Sequence, residues 1–181
     1  TGGGTGRWPA TVATFALTSG SRIDVAAGTF TGGSNANENW TNNKSDLNIE
    51  SGATFAGVEA NVKVDALTGA GTLSSGYSGG GYVGFSFGVD DGSGTFSGVI
   101  QNGSAAGNFV KEGAGSQTLS GSNTFTGTMT VNGGALVVAH NTALGTGAGA
   151  TTVIAGKRLV LTGNVTITGE TVTINGDGGN F

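Results

Sequence analysis

The sequence predicts an all-β protein, a parallel β-solenoid of about eight short coils. Three observations lead to this fold class. Apolar residues almost never recur at helical spacing, short runs of alternating residues lie between glycines, and one phenylalanine tetrapeptide repeats along the chain. Glycine accounts for 38 of 181 residues, whereas proline occurs once, as Pro9 near the start. Because proline cannot donate to a β-ladder, its near absence suits strands that pair on both sides.

The repeated tetrapeptide reads Thr-Phe-(Thr/Ala/Ser)-Gly and occurs four times, with Phe30, Phe55, Phe96 and Phe125 as its phenylalanines. The intervals between them fit a loose period of about 22 residues, which is typical of one solenoid coil. A single coil cannot bury its own apolar stripe, so we expect stacked coils to bring the four rings together in one core. Ladders of threonine should cover the outside of a rod about 40 Å long.

Strand-like runs follow one another in chain order, and each is a pair of β-rich pieces joined by glycine or Asn-Gly. Such joints favour glycine because turns often need a positive φ. In the last run, Val165 and Ile167 alternate with threonine, and the phase slips by one residue before Val172 and Ile174, which indicates a corner or bulge. The runs cover residues 22–30, 47–55, 61–73, 130–138, 151–161 and 163–176.

Two segments interrupt this pattern within a predicted single domain, residues 1–181. A polar stretch at about 35–46 is predicted to be a loop leaving the rod, and a glycine- and aromatic-rich stretch at about 74–94 to be an excursion or an irregular coil. Neither stretch reads as a linker between two domains. The chain opens at Thr1 without a signal-peptide pattern, so we expect a processed protein or a segment of a longer one.

Composition argues against several classes of function. The formal net charge is −4 and the seven basic residues are scattered, which argues against a nucleic-acid partner. No apolar run reaches the roughly 18 residues of a membrane span, so membrane insertion is not expected. The absence of cysteine removes thiol catalysis, disulfides and thiolate metal sites. No cofactor is predicted.

Candidate sites for a ligand are few. Trp40, Tyr77 and Tyr82 lie in the two interrupting segments and could form a stacking surface for sugar rings. Asp90, Asp91 and Asp177 stand beside glycine turns and are weak calcium candidates, although turn chemistry alone also explains Asp-Gly pairs.

The sequence gives even less support for a catalytic site. His140 is the single histidine, and a general base or metal ligand needs partners that the sequence does not supply, so we expect a surface or corner histidine. A polysaccharide lyase would need acidic and basic residues along one groove of the solenoid. The residues that could supply such a groove are Asp24, Lys44, Asp46, Lys63 and Asp65.

The stretch "GAGSQTLSGSNTFTGTMTVNGGALVVAHNTALGTG", residues 113–147, resembles the autotransporter-associated β-strand repeat, also called the passenger-associated transport repeat. Phe125 stands where that repeat commonly has tyrosine. The resemblance implies a right-handed β-solenoid in a bacterial extracellular protein, often an adhesin or a surface stalk. The family pattern marks no catalytic residue. The matching residues are Gly113, Gly115, Thr118, Leu119, Ser120, Gly121, Asn123, Thr124, Thr126, Gly127, Thr130, Val131, Gly134 and Leu136.

The sequence therefore predicts a non-catalytic extracellular structural protein, a rod or fibre subunit that assembles end to end on or outside a bacterial cell. The ends of a solenoid expose unpaired strand edges, and neither end of this chain reads as a helical cap. The expected partner is thus another copy, head to tail, or the continuation of a longer solenoid. Two alternatives stay open: an adhesin module that binds surface glycans through loop aromatics, and a polysaccharide lyase-like enzyme.

Overall fold

A computed structural model describes residues 5–6, 14–33, 38–79 and 81–175. These residues form eighteen short strands and no helix, so no helix among them could cross a membrane. The strands are β1 Thr5–Gly6, β2 Arg22–Val25, β3 Thr29–Thr31, β4 Asp46–Ile49, β5 Thr54–Gly57, β6 Val62–Lys63, β7 Leu67–Gly69, β8 Thr72–Ser75, β9 Gly84–Phe87, β10 Gly94–Phe96, β11 Val99–Asn102, β12 Asn108–Lys111, β13 Ser116–Leu119, β14 Met129–Val131, β15 Ala135–Val138, β16 Ala150–Val153, β17 Arg158–Leu161 and β18 Thr171–Ile174.

The strands form three sheets in which every pair runs parallel, and each strand lies in a different sheet from the strand before it. One sheet has the order β1-β3-β5-β8-β11, the second β17-β15-β13-β10-β7-β4-β2, and the third β18-β16-β14-β12-β9-β6. Each strand therefore pairs with strands one coil away, not with its neighbour in the sequence. The predicted parallel β-solenoid is confirmed.

The seven-stranded sheet gives the number of coils. Its residues Val25 and Leu161 occupy the same register position in the first and last strands, six turns apart. The predicted coil length of about 22 residues is right. The predicted total of about eight coils is too high. That total came from dividing all 181 residues by the coil length, whereas the seven-stranded sheet begins at Arg22 and ends at Leu161.

The core contains a continuous column of aromatic rings. Neighbouring rings in the column have centroids 4.0 to 6.4 Å apart, which is the range of favourable stacked and edge-on contacts. Stacking coil upon coil brings together side chains that lie 15 to 30 residues apart in the sequence. The rings belong to Phe15, Trp40, Phe30, Phe55, Phe85, Phe109 and Phe125.

The prediction for the repeated phenylalanines needs one correction. Phe30 and Phe55 occupy the same register position and stack at 5.5 Å, and Phe125 closes the column against Phe109. Phe96 is also buried, but it lies on the seven-stranded sheet, paired with Gly69 and Leu119, and has no ring contact with the column in the described part of the chain. Phe96 is the last residue of a strand in the seven-stranded sheet, whereas Phe30 and Phe55 belong to strands of the five-stranded sheet.

Threonine ladders cover the outer faces, as predicted. Outward threonines alternate with buried residues along the strands and lie beside the threonines of the next coils. Directly opposed threonines support strand pairing through their methyl and hydroxyl groups. The ladders are Thr29–Thr54–Thr72 on the five-stranded sheet, Thr68–Thr95–Thr118 on the seven-stranded sheet and Thr130–Thr152–Thr173 on the six-stranded sheet.

The two predicted interruptions are closely attached to the rod. Of the stretch at 35–46, residues 35–37 lie outside the described residues, and the remainder buries Trp40 and pairs Asn39 with Thr14 in an isolated parallel bridge. The stretch at 74–94 contains strand β9, whose Phe85 and Phe87 are fully buried. The excursion is therefore confined to the loop between β8 and β9.

Candidate functional site

A cleft of about 400 Å³ lies beside the second coil, where the segment that begins at Glu38 meets the start of β6 and the loop before β9. Its volume falls in the range of small-ligand sites. One side is closed by Thr14, which bridges Asn39. The other lining residues are Glu38, Asn39, Trp40, Thr41, Asn61 and Tyr82.

Trp40 forms the inner wall of this cleft. Its side chain is 1% exposed, and its indole Nε1 donates a hydrogen bond to the Gly32 carbonyl at 2.9 Å. The Phe15 ring stacks on it at 4.0 Å with an interplanar angle of 9°, and Phe55 packs edge-on at 5.9 Å. The structure therefore places Trp40 in the core, and the exposed stacking platform predicted for it does not form.

The two predicted tyrosines occupy the loop between β8 and β9, and both are half-buried. The Tyr77 amide donates to the Tyr82 carbonyl at 2.9 Å, which closes this loop. Only Tyr82 lines the cleft. Of the three aromatic candidates, Tyr82 is thus the one with a ring at the cleft that is not covered by the core.

Two asparagines at the cleft have fixed side-chain orientations. The Asn39 Oδ1 atom accepts the Thr41 amide at 2.9 Å, and the Asn61 Oδ1 atom accepts the Gly84 amide at 3.0 Å. Because each oxygen is engaged by backbone, the Nδ2 group is the end that can donate to a ligand. Glu38 adds a carboxyl group that is only 5% exposed.

Sequence reasoning missed Glu38, Asn39 and Asn61 as cleft residues. Their polar character is unremarkable in a chain rich in asparagine. Asn39 and Asn61 come from successive coils, and Tyr82 from the next, so only the coil register brings them together. In the sequence, Asn39 and Asn61 each come directly before a buried residue. This local pattern does not indicate that the two asparagines share a cleft.

The predicted calcium candidates are engaged by protein groups. Lys44 Nζ lies 2.5 Å from Asp90 Oδ1, and this hydrogen bond holds the pKa of Asp90 below and that of Lys44 above their ordinary values. Asp91 Oδ1 accepts the Ala114 amide at 2.6 Å. No group of three acidic or histidine residues that could hold a metal occurs in the described ranges, and Asp177 lies outside them.

Asp65, one of the lyase candidates, supports the same turn. Its Oδ1 atom accepts the amides of Asp90 and Gly92, each at 2.8 Å, so the carboxylate closes the turn after β9. Asp46 likewise accepts the Ala66 amide at 3.0 Å. Both carboxylates therefore serve as hydrogen-bond acceptors for backbone between coils.

The remaining lyase candidates are spread over two sheets and a loop. Asp24 pairs with Arg22 on the seven-stranded sheet, whereas Lys63 lies on the six-stranded sheet. Lys44 is engaged by Asp90. His140 lies half-buried in a corner, where its Nδ1 atom accepts the Thr142 amide at 3.2 Å, as expected for a corner histidine.

Comparisons with known proteins support the predicted resemblance. Residues 109–138 match the family model described as passenger-associated-transport-repeat. Over 104 residues, or 55% of this chain, the sequence is 38% identical to the "Adhesin BmaC autotransporter" of Brucella suis biovar 1 (strain 1330). The chain spans 3% of the length of that relative. No solved structure matches. The predicted resemblance is therefore confirmed over residues 113–138, where the predicted stretch and the match overlap.

Proposed function

We propose that this chain is a segment of a non-catalytic, surface-displayed passenger that acts as an adhesive rod. The observation that carries the proposal is the position of the transport-repeat match. It covers β12 to β15, and these strands continue the six-stranded and seven-stranded sheets of the coils before and after them. A similar protein is named as an adhesin autotransporter, which supports extracellular display.

A parallel solenoid is well suited to this role. Most strands between its ends pair with both neighbouring coils, so the fold extends without exposing side edges. The outer threonine ladders present hydroxyl groups in regular rows, which stay hydrated. Loops between coils then differ in length and side chains without disturbing the core.

Surface display is tested in the cell that produces the protein. Intact cells are labelled with antibodies raised against the purified chain and are treated with an external protease. We expect labelling before lysis and removal of the signal by protease, with a cytoplasmic protein as the control that neither treatment reaches. Labelling that appears only after lysis would contradict the proposal.

Adhesion is tested with the purified chain itself. Beads coated with the chain are applied to cultured animal cells, beside beads coated with a charge-matched protein of another fold. We expect several-fold more of the chain-coated beads to stay after washing. Equal retention of both kinds of bead would reject the adhesive part of the proposal while leaving surface display to its own test.

End-to-end assembly is a second candidate, favoured by the final coil. β17 and β18 are the last strands of their sheets among the described residues, and their residues Leu161 and Ile174 are 50% and 66% exposed, unlike the inward residues of interior strands. Unpaired edges with apolar side chains tend to accept further strands, which either a second copy or the continuation of a longer solenoid can supply. Light scattering after size exclusion and negative-stain images should show concentration-dependent linear species.

The matched variants separate an end contact from a side contact. Leu161→Lys with Ile174→Lys places charges at the last coil and should leave monomers. Thr152→Lys places a charge on the side wall and should leave assembly unchanged. Monomers at all concentrations of the unaltered chain would reject assembly but not the solenoid.

A further inference from the structure

We propose that the cleft beside Trp40 is a binding site for a neutral pyranose sugar. In this proposal, Tyr82 supplies the stacking surface, and Asn39 and Asn61 supply hydrogen-bond donors. The inference deepens the proposed adhesive function and rests on it, because it assigns a ligand class to one place on the rod.

The shape of the cleft is set by groups that cannot easily move. Trp40 is fixed at the inner wall by its hydrogen bond to Gly32 and by the stacked Phe15 ring. The volume of about 400 Å³ exceeds that of one sugar ring and leaves room for retained water or a linked second unit. A rigid wall reduces the ordering cost of binding.

The stacking surface comes from Tyr82. Tyr82 is half-buried and lines the cleft, and the loop that carries it is closed by the bond from the Tyr77 amide to the Tyr82 carbonyl. One face of a pyranose carries mostly C–H groups, and such a face packs well on an aromatic ring that has a polar end in water. Trp40 cannot play this part, because Phe15 and Phe55 cover it.

The polar rim fits a polyhydroxyl ligand. The oxygens of Asn39 and Asn61 are engaged by the Thr41 and Gly84 amides, so both side chains offer NH₂ groups. The Thr41 side chain lies at the exposed edge of the same cleft and adds a hydroxyl that can donate or accept. Donors and acceptors at several points around one aromatic ring are what a sugar with several hydroxyls requires.

The charge at the cleft selects against acidic sugars. The described lining contains the Glu38 carboxyl group and no lysine or arginine. Because no cationic side chain occurs among these residues, a sugar carboxylate placed beside the buried Glu38 carboxyl group would gain no ion pair there. We therefore infer a preference for neutral hexoses and N-acetylhexosamines over uronic and sialic acids.

The test uses saturation-transfer NMR and two-dimensional amide spectra of the purified chain with single sugars. The probes are glucose, galactose, mannose and N-acetylglucosamine, compared with glucuronic and N-acetylneuraminic acid at physiological salt. We expect at least one neutral sugar to bind and to shift the amides of Asn39, Thr41 and Gly84, with weaker or no effects from the acidic sugars.

Three variants make the assignment specific. Tyr82→Ala should weaken sugar binding about tenfold or more, whereas Tyr77→Ala, in the same loop but outside the cleft, should retain affinity. Asn61→Asp keeps the acceptor for the Gly84 amide but replaces the donor with a carboxylate, so it should also weaken binding. Thermal unfolding confirms that each variant is folded.

Several outcomes would overturn the inference. These are no binding by any of the neutral sugars, unchanged affinity in both Tyr82→Ala and Asn61→Asp, or tighter binding of the acidic sugars. Adhesion and surface display that persist without sugar binding would reject this site alone. Loss of display in the producing cell would instead reject the proposed function.

Discussion

Among single residues, Lys111 has the least expected environment. It is fully buried at an inward position of β12, in register with Phe87 on one side and Val131 on the other. Its Nζ atom donates to the carbonyl oxygens of Glu112 and Gly113, the latter at 3.1 Å. Burial lowers the pKa of Lys111, and the nearby carboxylates of Asp65, Asp91 and Glu112 only partly oppose this effect. The ammonium group thus closes a corner at the cost of its hydration.

Lys111→Met should remove a pH dependence of stability. The pKa of Lys111 in the folded protein lies below its ordinary value of 10.5, so between these two values the unfolded chain binds more protons. The free energy of unfolding must therefore rise with pH in that interval. Urea unfolding from neutral pH to 10.5 should show this rise in the unaltered chain and in Lys63→Met, but not in Lys111→Met. Equal slopes in all three proteins would contradict the assignment.

Trp40→Ala distinguishes a core residue from an exposed one. Loss of a fully buried indole should lower the free energy of unfolding by about 3–5 kcal/mol. Trp40→Phe should cost less, because it keeps most of the contact with Phe15 and loses the hydrogen bond to Gly32. Urea unfolding measures both. A Trp40→Ala protein within about 0.5 kcal/mol of the unaltered chain would show that this side chain is exposed in solution.

Close contact between the corners of successive coils explains many of the described glycines in a way that sequence reasoning did not. Gly98 lies against the carbonyl oxygen of Gly71, and Gly121 lies against that of Gly98, so a Cβ at either place would overlap the backbone of the coil before. Neither has a positive φ, unlike Gly52 with a φ of 81° and open space around it. Close stacking of corners, more than turn conformation, is therefore what requires glycine at these positions.

Gly121→Ala should consequently be far more damaging than an ordinary glycine substitution. The added methyl group must displace the Gly98 carbonyl, and overpacking of this kind costs about 1–3 kcal/mol or more. Gly57→Ala is the matched control, because its Cβ would meet Ser75 Oγ at 3.5 Å, an ordinary contact. We expect Gly57→Ala to be neutral or slightly stabilising in thermal and urea unfolding. Similar losses in both variants would argue against stacked corners.

At the scale of the element, the sequence shows which residues face inward but not which sheet they join. The tetrapeptide repeat and the alternation predicted the buried Phe55 and the outward threonines correctly, because a period of two is a local property of a strand. The position of Phe96 was not predictable in this way, because corners of different sheets contain the same Thr-Phe-Ser-Gly type of sequence. The cleft depends on register across three coils, which no local pattern contains.

The whole molecule should be least stable at its ends. Interior coils gain contacts from two neighbours, whereas an end coil gains them from one, so opening should begin there. The described core reflects this difference, since Leu67, Phe96 and Leu119 are fully buried in the seven-stranded sheet, while Leu161 of its last strand is half exposed.

Amide hydrogen exchange measures this gradient directly. We expect amides of β7, β10 and β13 to exchange near the global unfolding limit, and those of β2, β17 and β18 to exchange much faster. If copies assemble end to end, raising the protein concentration should slow exchange in β17 and β18 but leave β10 unchanged. Uniform protection at low concentration would instead show that the rod opens as one cooperative unit. The interaction free energy between neighbouring coils would then be larger than the stability that the end coils lose by having one neighbour.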